Sequence, residues 1–289
     1  MSSLSRAKIR CREITNLDAS NVVDLLTRGF PRRNRQYWQR ALQRLAKHPT
    51  PEGFPKYGYL LEANGRIVGV ILLIYNKIET STGPTVRCSV SSWYLEPQFR
   101  IYATLLTSLA FKNKNVTYLN VSPANHVQKI IEAQGFSRYC RGALAALPIL
   151  ARRASDARVL GGGMVPDAPF EPFERQLILS HITYGCIGMW CVTRERAYPF
   201  VFAPRIAKGV VPCAQLIYCR QIDDLVRFAG RIGWFLSLRG RPWVLIDSNG
   251  PIQGLVGTYF EDVAPKYFKG PDRPRLGDLS YTEAGMFIF

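Results

Sequence analysis

Apolar residues fall at helical spacing early in the chain and run together or alternate in the stretches that follow. Ile9–Ile14 reads as a strand, and Asn16–Asp18 offers cap residues to a helix whose apolar positions are Val22, Val23, Leu25 and Leu26. A second helix is expected from about Arg35 to Lys47, with Trp38, Leu42 and Leu45 on one face and Arg40, Arg44 and Lys47 elsewhere. Tyr57–Ala63 and Arg66–Tyr75 flank Asn64-Gly65, the strongest two-residue turn signal, and predict a hairpin. Val86–Leu95 follows as a strand ended by Glu96-Pro97, then a helix over Tyr102–Phe111. A strand over Val116–Val121, a helix over His126–Ala133 and a strand over Ser137–Leu147 complete the order β-α-α-β-β-β-α-β-α-β.

Residues 151–173 change character, with arginines, Gly161-Gly162-Gly163, and prolines at 166, 169 and 172. This stretch reads as a linker, dividing the chain into domains over 1–150 and 174–289. The triple glycine lacks the strand-to-helix setting of a phosphate loop. Beyond it, strands are expected at Cys186–Thr193, Tyr198–Ala203 and Ala214–Cys219, with a helix at about Asp223–Leu238. A hairpin of Trp243–Asp247 and Ile252–Phe260 is expected around Asn249-Gly250, and a last strand near the C-terminus. Two short echoes suggest a diverged duplication. Asn64-Gly65-Arg66-Ile67-Val68-Gly69 matches Asn249-Gly250-Pro251-Ile252-Gln253-Gly254, and Cys11-Arg12-Glu13-Ile14 matches Cys219-Arg220-Gln221-Ile222.

Composition narrows the classes. With 47% hydrophobic residues, a 289-residue chain has material for a large core, which excludes a disordered chain. The longest apolar runs, Ile67–Tyr75 and Gly142–Ala151, are about half of what a membrane span needs. Positive charge at Arg6, Lys8 and Arg10 has no apolar stretch behind it, so no signal peptide is expected. Seven cysteines without a close CxxC pair and three histidines argue against a structural zinc site, and the expectation is a reduced, cytoplasmic protein without metal. The net charge is +17 and uneven: residues 1–150 hold 21 basic and 8 acidic residues, the remainder 17 and 13. An anionic partner is therefore expected at the N-terminal half.

Three features carry a family resemblance. They are the Asn64–Gly69 turn, the strand exit Val90-Ser91-Ser92-Trp93-Tyr94-Leu95-Glu96-Pro97-Gln98-Phe99-Arg100, and the helix end Ile130-Ile131-Glu132-Ala133-Gln134-Gly135-Phe136. With the element order over 8–147, they resemble the GNAT superfamily of acyl-CoA N-acyltransferases. The resemblance implies an α/β (α+β) fold with a mixed central sheet flanked by helices, followed by a second, diverged and strand-rich GNAT-like domain. It implies an acyltransferase using acetyl-CoA or another acyl-CoA, with Trp93, Tyr94, Leu95, Arg100, Ile101, Tyr102, Ala103 and Thr104 at the cofactor. A helix N-terminus beside an arginine holds a pyrophosphate, and an extended strand pairs with pantetheine amides. Glu96 and His126 are the catalytic candidates, with Glu62 a further carboxylate beside the turn. Each has an ordinary alternative as a cap or surface group.

The pattern departs from the family at two points. Arg100 is followed by Ile101-Tyr102-Ala103-Thr104 rather than glycines, and Ile131 stands where many members carry an acidic tyrosine. Arg28, Arg32, Arg33, Arg35, Arg40, Arg44 and Lys47, interleaved with Phe30, Tyr37 and Trp38, suit nucleic acid, an anionic polysaccharide or a phosphorylated cofactor. The resemblance, which puts this region on the acceptor side of the cleft, implies an acidic small-molecule or polymeric amine acceptor. The competing readings are a non-catalytic binding protein on the same fold, or a tandem transferase of the Fem type that uses aminoacyl-tRNA or another polyanion, including nucleic acid.

Overall fold

The computed structural model describes residues 8–80, 83–152, 154 and 156–288; Arg6 lies outside them. The chain forms two compact units, Met1–Asn120 with Lys269–Asp272, and Val121–Phe268 with Arg273–Phe289.

The first unit holds five strands that neighbour one another in sequence order. β1 (Ile9–Glu13), β2 (Gly58–Ala63), β3 (Arg66–Thr80) and β4 (Gly83–Leu95) run antiparallel, and β5 (Val116–Asn120) lies parallel to β4. Asn64 and Gly65 take φ of 50° and 81°, the left-handed pair that a two-residue hairpin needs to match strand twist. Every residue from Ile67 to Asn76 is buried. The cause is cover on both faces: α1 (Ala19–Gly29) packs on β3 and β4, and α3 (Ala103–Ala110) packs on β1, β2 and β3.

Both N-terminal helices start where the cap residues place them. Thr15 and Asp18 form a capping box ahead of α1, and the Asn34 side chain accepts the Tyr37 N–H at 2.9 Å to open α2 (Arg35–Lys47). α1 buries Val22, Val23, Leu25 and Leu26; α2 buries Trp38, Ala41, Leu42 and Leu45 and turns Arg40 and Lys47 to solvent.

Two groups here make the unit acid-sensitive. Arg12 donates to both Asp18 oxygens at 2.7 Å, which with Thr15 holds that carboxyl well below its usual range. His48 is buried with Nε2 3.3 Å from the Tyr75 carbonyl, and burial pushes its imidazole below the ordinary value. A depressed histidine contributes stability above its unfolded pKa of about 6.5 and loses it as pH falls; a depressed aspartate does the same below about 4. The melting temperature is therefore expected to fall between pH 7.5 and 5.5, with most of that slope absent in His48→Gln. An unchanged slope in the variant would remove His48 as its source.

The second unit contains β6 (Ser137–Ala146), β7 (Arg158–Gly161), β8 (Ile187–Val192), β9 (Ala197–Ala207), β10 (Val211–Cys219), β11 (Trp243–Ser248) and β12 (Gly257–Lys269). Their order is β12-β6-β11-β10-β9-β8-β7, with only β10 and β11 parallel. Helices α4 (Gln128–Ala133), α5 (Pro172–Thr183), α6 (Ile222–Arg227), α7 (Ala229–Ser237) and α8 (Glu283–Met286) complete it.

A repeat is evident from topology. β7 to β11 reproduce the order and sense of β1 to β5, with α5 between the first two strands and α6–α7 before the parallel strand. The echoing residues, however, are not equivalent positions. Asn64-Gly65 joins the second and third strands of its repeat, whereas Asn249-Gly250 follows the fifth strand of the other. Cys11 lies in a first strand and Cys219 ends a fourth.

Several expectations for the second half are corrected. Asn249-Gly250 forms no hairpin, because β6 lies between β11 and β12. Neither residue has the positive φ of Asn64-Gly65. The Asn249 side chain instead accepts the Arg141 N–H at 2.7 Å and donates to the Tyr139 carbonyl at 3.1 Å. The expected linker 151–173 contains β7 and the start of α5. Gly162 is needed there because a Cβ would stand 2.7 Å from the Gly188 backbone. The units divide after Asn120 because β6 is held by β11 and β12. The helix at 223–238 is two, α6 and α7, and the C-terminus carries α8 with a single bridge of Asp278 to Tyr218. No helix among the described residues is long and apolar enough to cross a membrane.

Candidate functional site

β4 and β5 pair only over Val86–Ser89 and Val116–Leu119. Beyond Ser89 no described strand of the unit pairs with β4 on that side, so Val90–Leu95 presents an open strand edge. On its other side β4 stays paired to β3 but bulges, because Ile71 faces Trp93 and Leu72 faces Ser91, leaving Ser92 over. Ser92 takes a φ of 24°, uncommon for a residue with a side chain. A bulge increases twist and bends its strand, which accounts for β4 leaving β5 at this point.

The candidate cofactor residues follow directly. Trp93, Tyr94 and Leu95 form the end of the open edge. The Tyr94 and Leu95 side chains serve packing: Gly29 comes so close that a Cβ there would lie 2.5 Å from the Tyr94 ring, and Leu95 is buried against Gly69. Trp93 is half-buried, and the backbone of the edge remains available. Pro97–Tyr102 then forms a 3-10 helix that runs straight into α3. The Phe99 N–H bonds to the Glu96 carbonyl at 2.9 Å, and the Ala103 N–H to the Arg100 carbonyl. Amides that glycines would leave pointing at a phosphate are here consumed by the helix itself. Arg100 is exposed and has no protein partner among the described residues. Ile101, 80% exposed, and Thr104 flank it on the surface, while Tyr102 and Ala103 are half-buried.

Glu96 is buried, and Arg66 holds it through two contacts, 2.8 Å to Oε1 and 2.7 Å to Oε2. Arg28 adds a contact at 3.4 Å and the Gln98 amide one at 3.1 Å. Both oxygens are thereby engaged, in an anchor joining the β2–β3 turn to the end of β4. Arg28 and Arg66 also line a surface cleft of about 540 Å³ with Asp24 and Asn64. Glu62 is no solvated turn residue, since Arg12 donates to it at 2.6 and 3.0 Å.

His126 belongs to the second unit, exposed on the 3-10 turn before α4, while Glu96 belongs to the first. Ile131, on α4, is buried. Cys88 is fully enclosed, and burial pushes its thiol well up from its ordinary value. Among the described residues no three His, Cys, Asp or Glu side chains gather as a metal site. Sequence reasoning missed the Ser92 bulge and the 3-10 helix. The available signals were the Ser91-Ser92 pair inside an apolar strand and the proline opening Pro97–Tyr102.

No protein-family model matches the sequence, and no curated protein matches it. Solved structures do. A GCN5-related N-acetyltransferase from Kribbella flavida aligns over 92% of this chain and 72% of its own at a TM-score of 0.56 and 11% identity. One from Anabaena variabilis aligns over 90% and 72% at 0.57 and 8% identity. Eis1 from Mycobacterium abscessus aligns over 91% and 73% at 0.51 and 9% identity. At these identities the likeness concerns the fold, and the fold of this chain is that of the GNAT superfamily.

Proposed function

We propose that the first unit is an acyl-CoA-dependent N-acyltransferase with an atypical pyrophosphate site. The observation that carries this reading is the open edge of β4 beyond Ser89, leading within a few residues to the exposed Arg100 in the last turn of the 3-10 helix that runs into α3. Pantetheine has two amides and pairs with such an edge as an added strand, laying its thioester toward the point where β4 and β5 part. An acceptor amine attacks the thioester carbonyl there. The C–N bond forms, the C–S bond breaks, the thiolate leaves and takes up a proton, and the amine gives one up. Arg100, with Thr104 on the first turn of α3, faces the pyrophosphate as a point charge in place of a glycine cradle.

The exposed arginines and lysine of α2 favour an acceptor that carries negative charge of its own. Glu96 can act as base only by releasing Arg66. A second reading keeps the ligand and drops the reaction: both oxygens of Glu96 are engaged, by Arg66, Arg28 and Gln98, which suits a binding protein on this fold.

Calorimetry with acetyl-CoA, coenzyme A and a long-chain acyl-CoA, followed by a free-thiol assay with a panel of acidic and neutral amines, separates the two readings. The expected result is binding, with amine-dependent release of free coenzyme A. Glu96→Gln is expected to retain that release within about threefold while melting earlier, because charged hydrogen bonds of this kind contribute about 1.5–3 kcal/mol. Binding without release under any amine favours the second reading, and no binding to any of the three ligands rejects both.

A further inference from the structure

The second repeat has the same strand geometry with a different outcome. β10 pairs with β11 only over Cys213–Gln215 and Trp243–Leu245, then bulges at Ile217, since Leu216 faces Phe202 and Tyr218 faces Val201. The edge that this frees is occupied by the chain itself. The Leu279 N–H donates to the Ile217 carbonyl at 2.7 Å, the Cys219 N–H donates to the Gly277 carbonyl at 2.9 Å, and Tyr218 and Asp278 form an antiparallel bridge between them. We infer that Gly277–Leu279 is the permanent occupant of the second repeat's ligand edge, so that the chain takes one acyl-CoA, in the first unit. The stoichiometry rests on the function proposed above for that unit; the filled edge does not.

Three features make the occupant part of the core rather than a displaceable flap. Leu279 and Ser280 are buried at 2% exposure, and Asp278 is nearly so. The Asp278 carboxylate accepts from the Ser280 amide at 3.1 Å and its hydroxyl at 2.6 Å, while Arg275 donates to the Cys219 carbonyl at 2.6 Å and lies 5.1 Å from the Tyr218 ring. Gly277, at φ 78°, passes so close that a Cβ would stand 2.7 Å from Cys219 Sγ. Farther along, the Tyr281 N–H donates to His181 Nε2 at 3.1 Å.

The charges at this edge are also reversed. Arg100 of the first unit has no protein partner among the described residues, whereas Arg220, next after β10, is bound by the buried carboxylate of Glu174. The first turn of α6 carries Asp223 and Asp224. Two carboxylates at a helix start repel a pyrophosphate that such a terminus would otherwise attract.

Residue-resolved hydrogen exchange on the full chain, with and without saturating acetyl-CoA, tests the inference alongside binding stoichiometry. The expected result is one acetyl-CoA per chain, new protection confined to amides between 90 and 104, and slow exchange at Cys219 and Leu279 that is the same in both states. Two acetyl-CoA per chain, or faster exchange at Leu279 once acetyl-CoA is added, overturns it. Should acetyl-CoA, coenzyme A and a long-chain acyl-CoA all fail to bind, the proposed function fails alone. The ligand-free arm then decides the filled edge: slow exchange at Cys219 and Leu279 sustains it, and exchange as fast as at exposed amides overturns it.

Discussion

Lys266→Ala is expected to lower the unfolding free energy of the chain by about 3–5 kcal/mol, the range for breaking a buried ion pair from one side. Lys266 is 1% exposed, with Nζ 2.7 Å from Asp247 Oδ1 and donating to the Ala264 carbonyl at 3.0 Å. The lysine points inward because β12 breaks its register against β6. Glu261 faces Gly142, but the next paired residue, Lys266, faces Cys140. Asp262 and Ala264 in the bulged stretch take φ of 60° and 52°, and Arg138 fastens Asp262 at 2.6 Å.

Removing the ammonium leaves Asp247 buried beside an apolar methyl, and burial already holds that carboxyl above its usual range against the pull of Lys266. The cost should therefore come from the stranded carboxylate rather than from the lost attraction. Lys266→Met with Asp247→Leu, which removes both charges at similar volume, is expected to recover most of the loss. Urea denaturation of the single and double variants checks this. Equal destabilisation in both would mean that packing at this bulge, not the unpaired charge, sets the energy.

The parts of the fold legible in the sequence are those where local and tertiary demands agree. α2 was bounded correctly at Arg35 and Lys47 because Asn34 caps it and its apolar stripe is uninterrupted. Asn64-Gly65 formed the hairpin it signalled because β2 and β3 are neighbours. The same dipeptide at Asn249-Gly250 misled, since strand pairing is settled by which partner β11 finds, and β6 takes that place. α5 was hidden because its buried side includes Glu174 and His181, so its core face is not an apolar stripe. β7 has only four residues and ends in the glycine run that resembled a linker.

The candidate site divides in the same way. Arg100 and the strand exit were visible as residue types, while the opening between β4 and β5 was not. That opening depends on where a parallel pairing stops and on one surplus residue at Ser92. Neither quantity is local, and Glu96 shows the consequence. Its position after the central strand suggested a base, but the arginine that engages both its oxygens comes from a turn thirty residues earlier, at Arg66.

Arg100→Ala should weaken acetyl-CoA binding by about tenfold and leave the melting temperature unchanged. The stability half of this expectation follows from exposure and from the lack of any protein partner among the described residues. The binding half follows from what the 3-10 helix has removed. With the Phe99 and Ala103 amides bonded inside Pro97–Tyr102, the backbone offers few donors to a pyrophosphate, so a larger share of the attraction falls on one guanidinium. A charged hydrogen bond buried from water is stronger than this, and solvent at an exposed arginine brings the expected effect down to about one decade. Because the contact is solvent-exposed, raising the salt from 50 to 500 mM should weaken the wild type more than the variant. Arg100→Lys separates charge from shape: recovery of most of the affinity identifies a point charge, and failure to recover identifies a two-pronged guanidinium contact. A dissociation constant within twofold of wild type in Arg100→Ala, at low salt, would place the phosphates elsewhere on the first unit. The exposed arginines of α2 would then be the next group to replace.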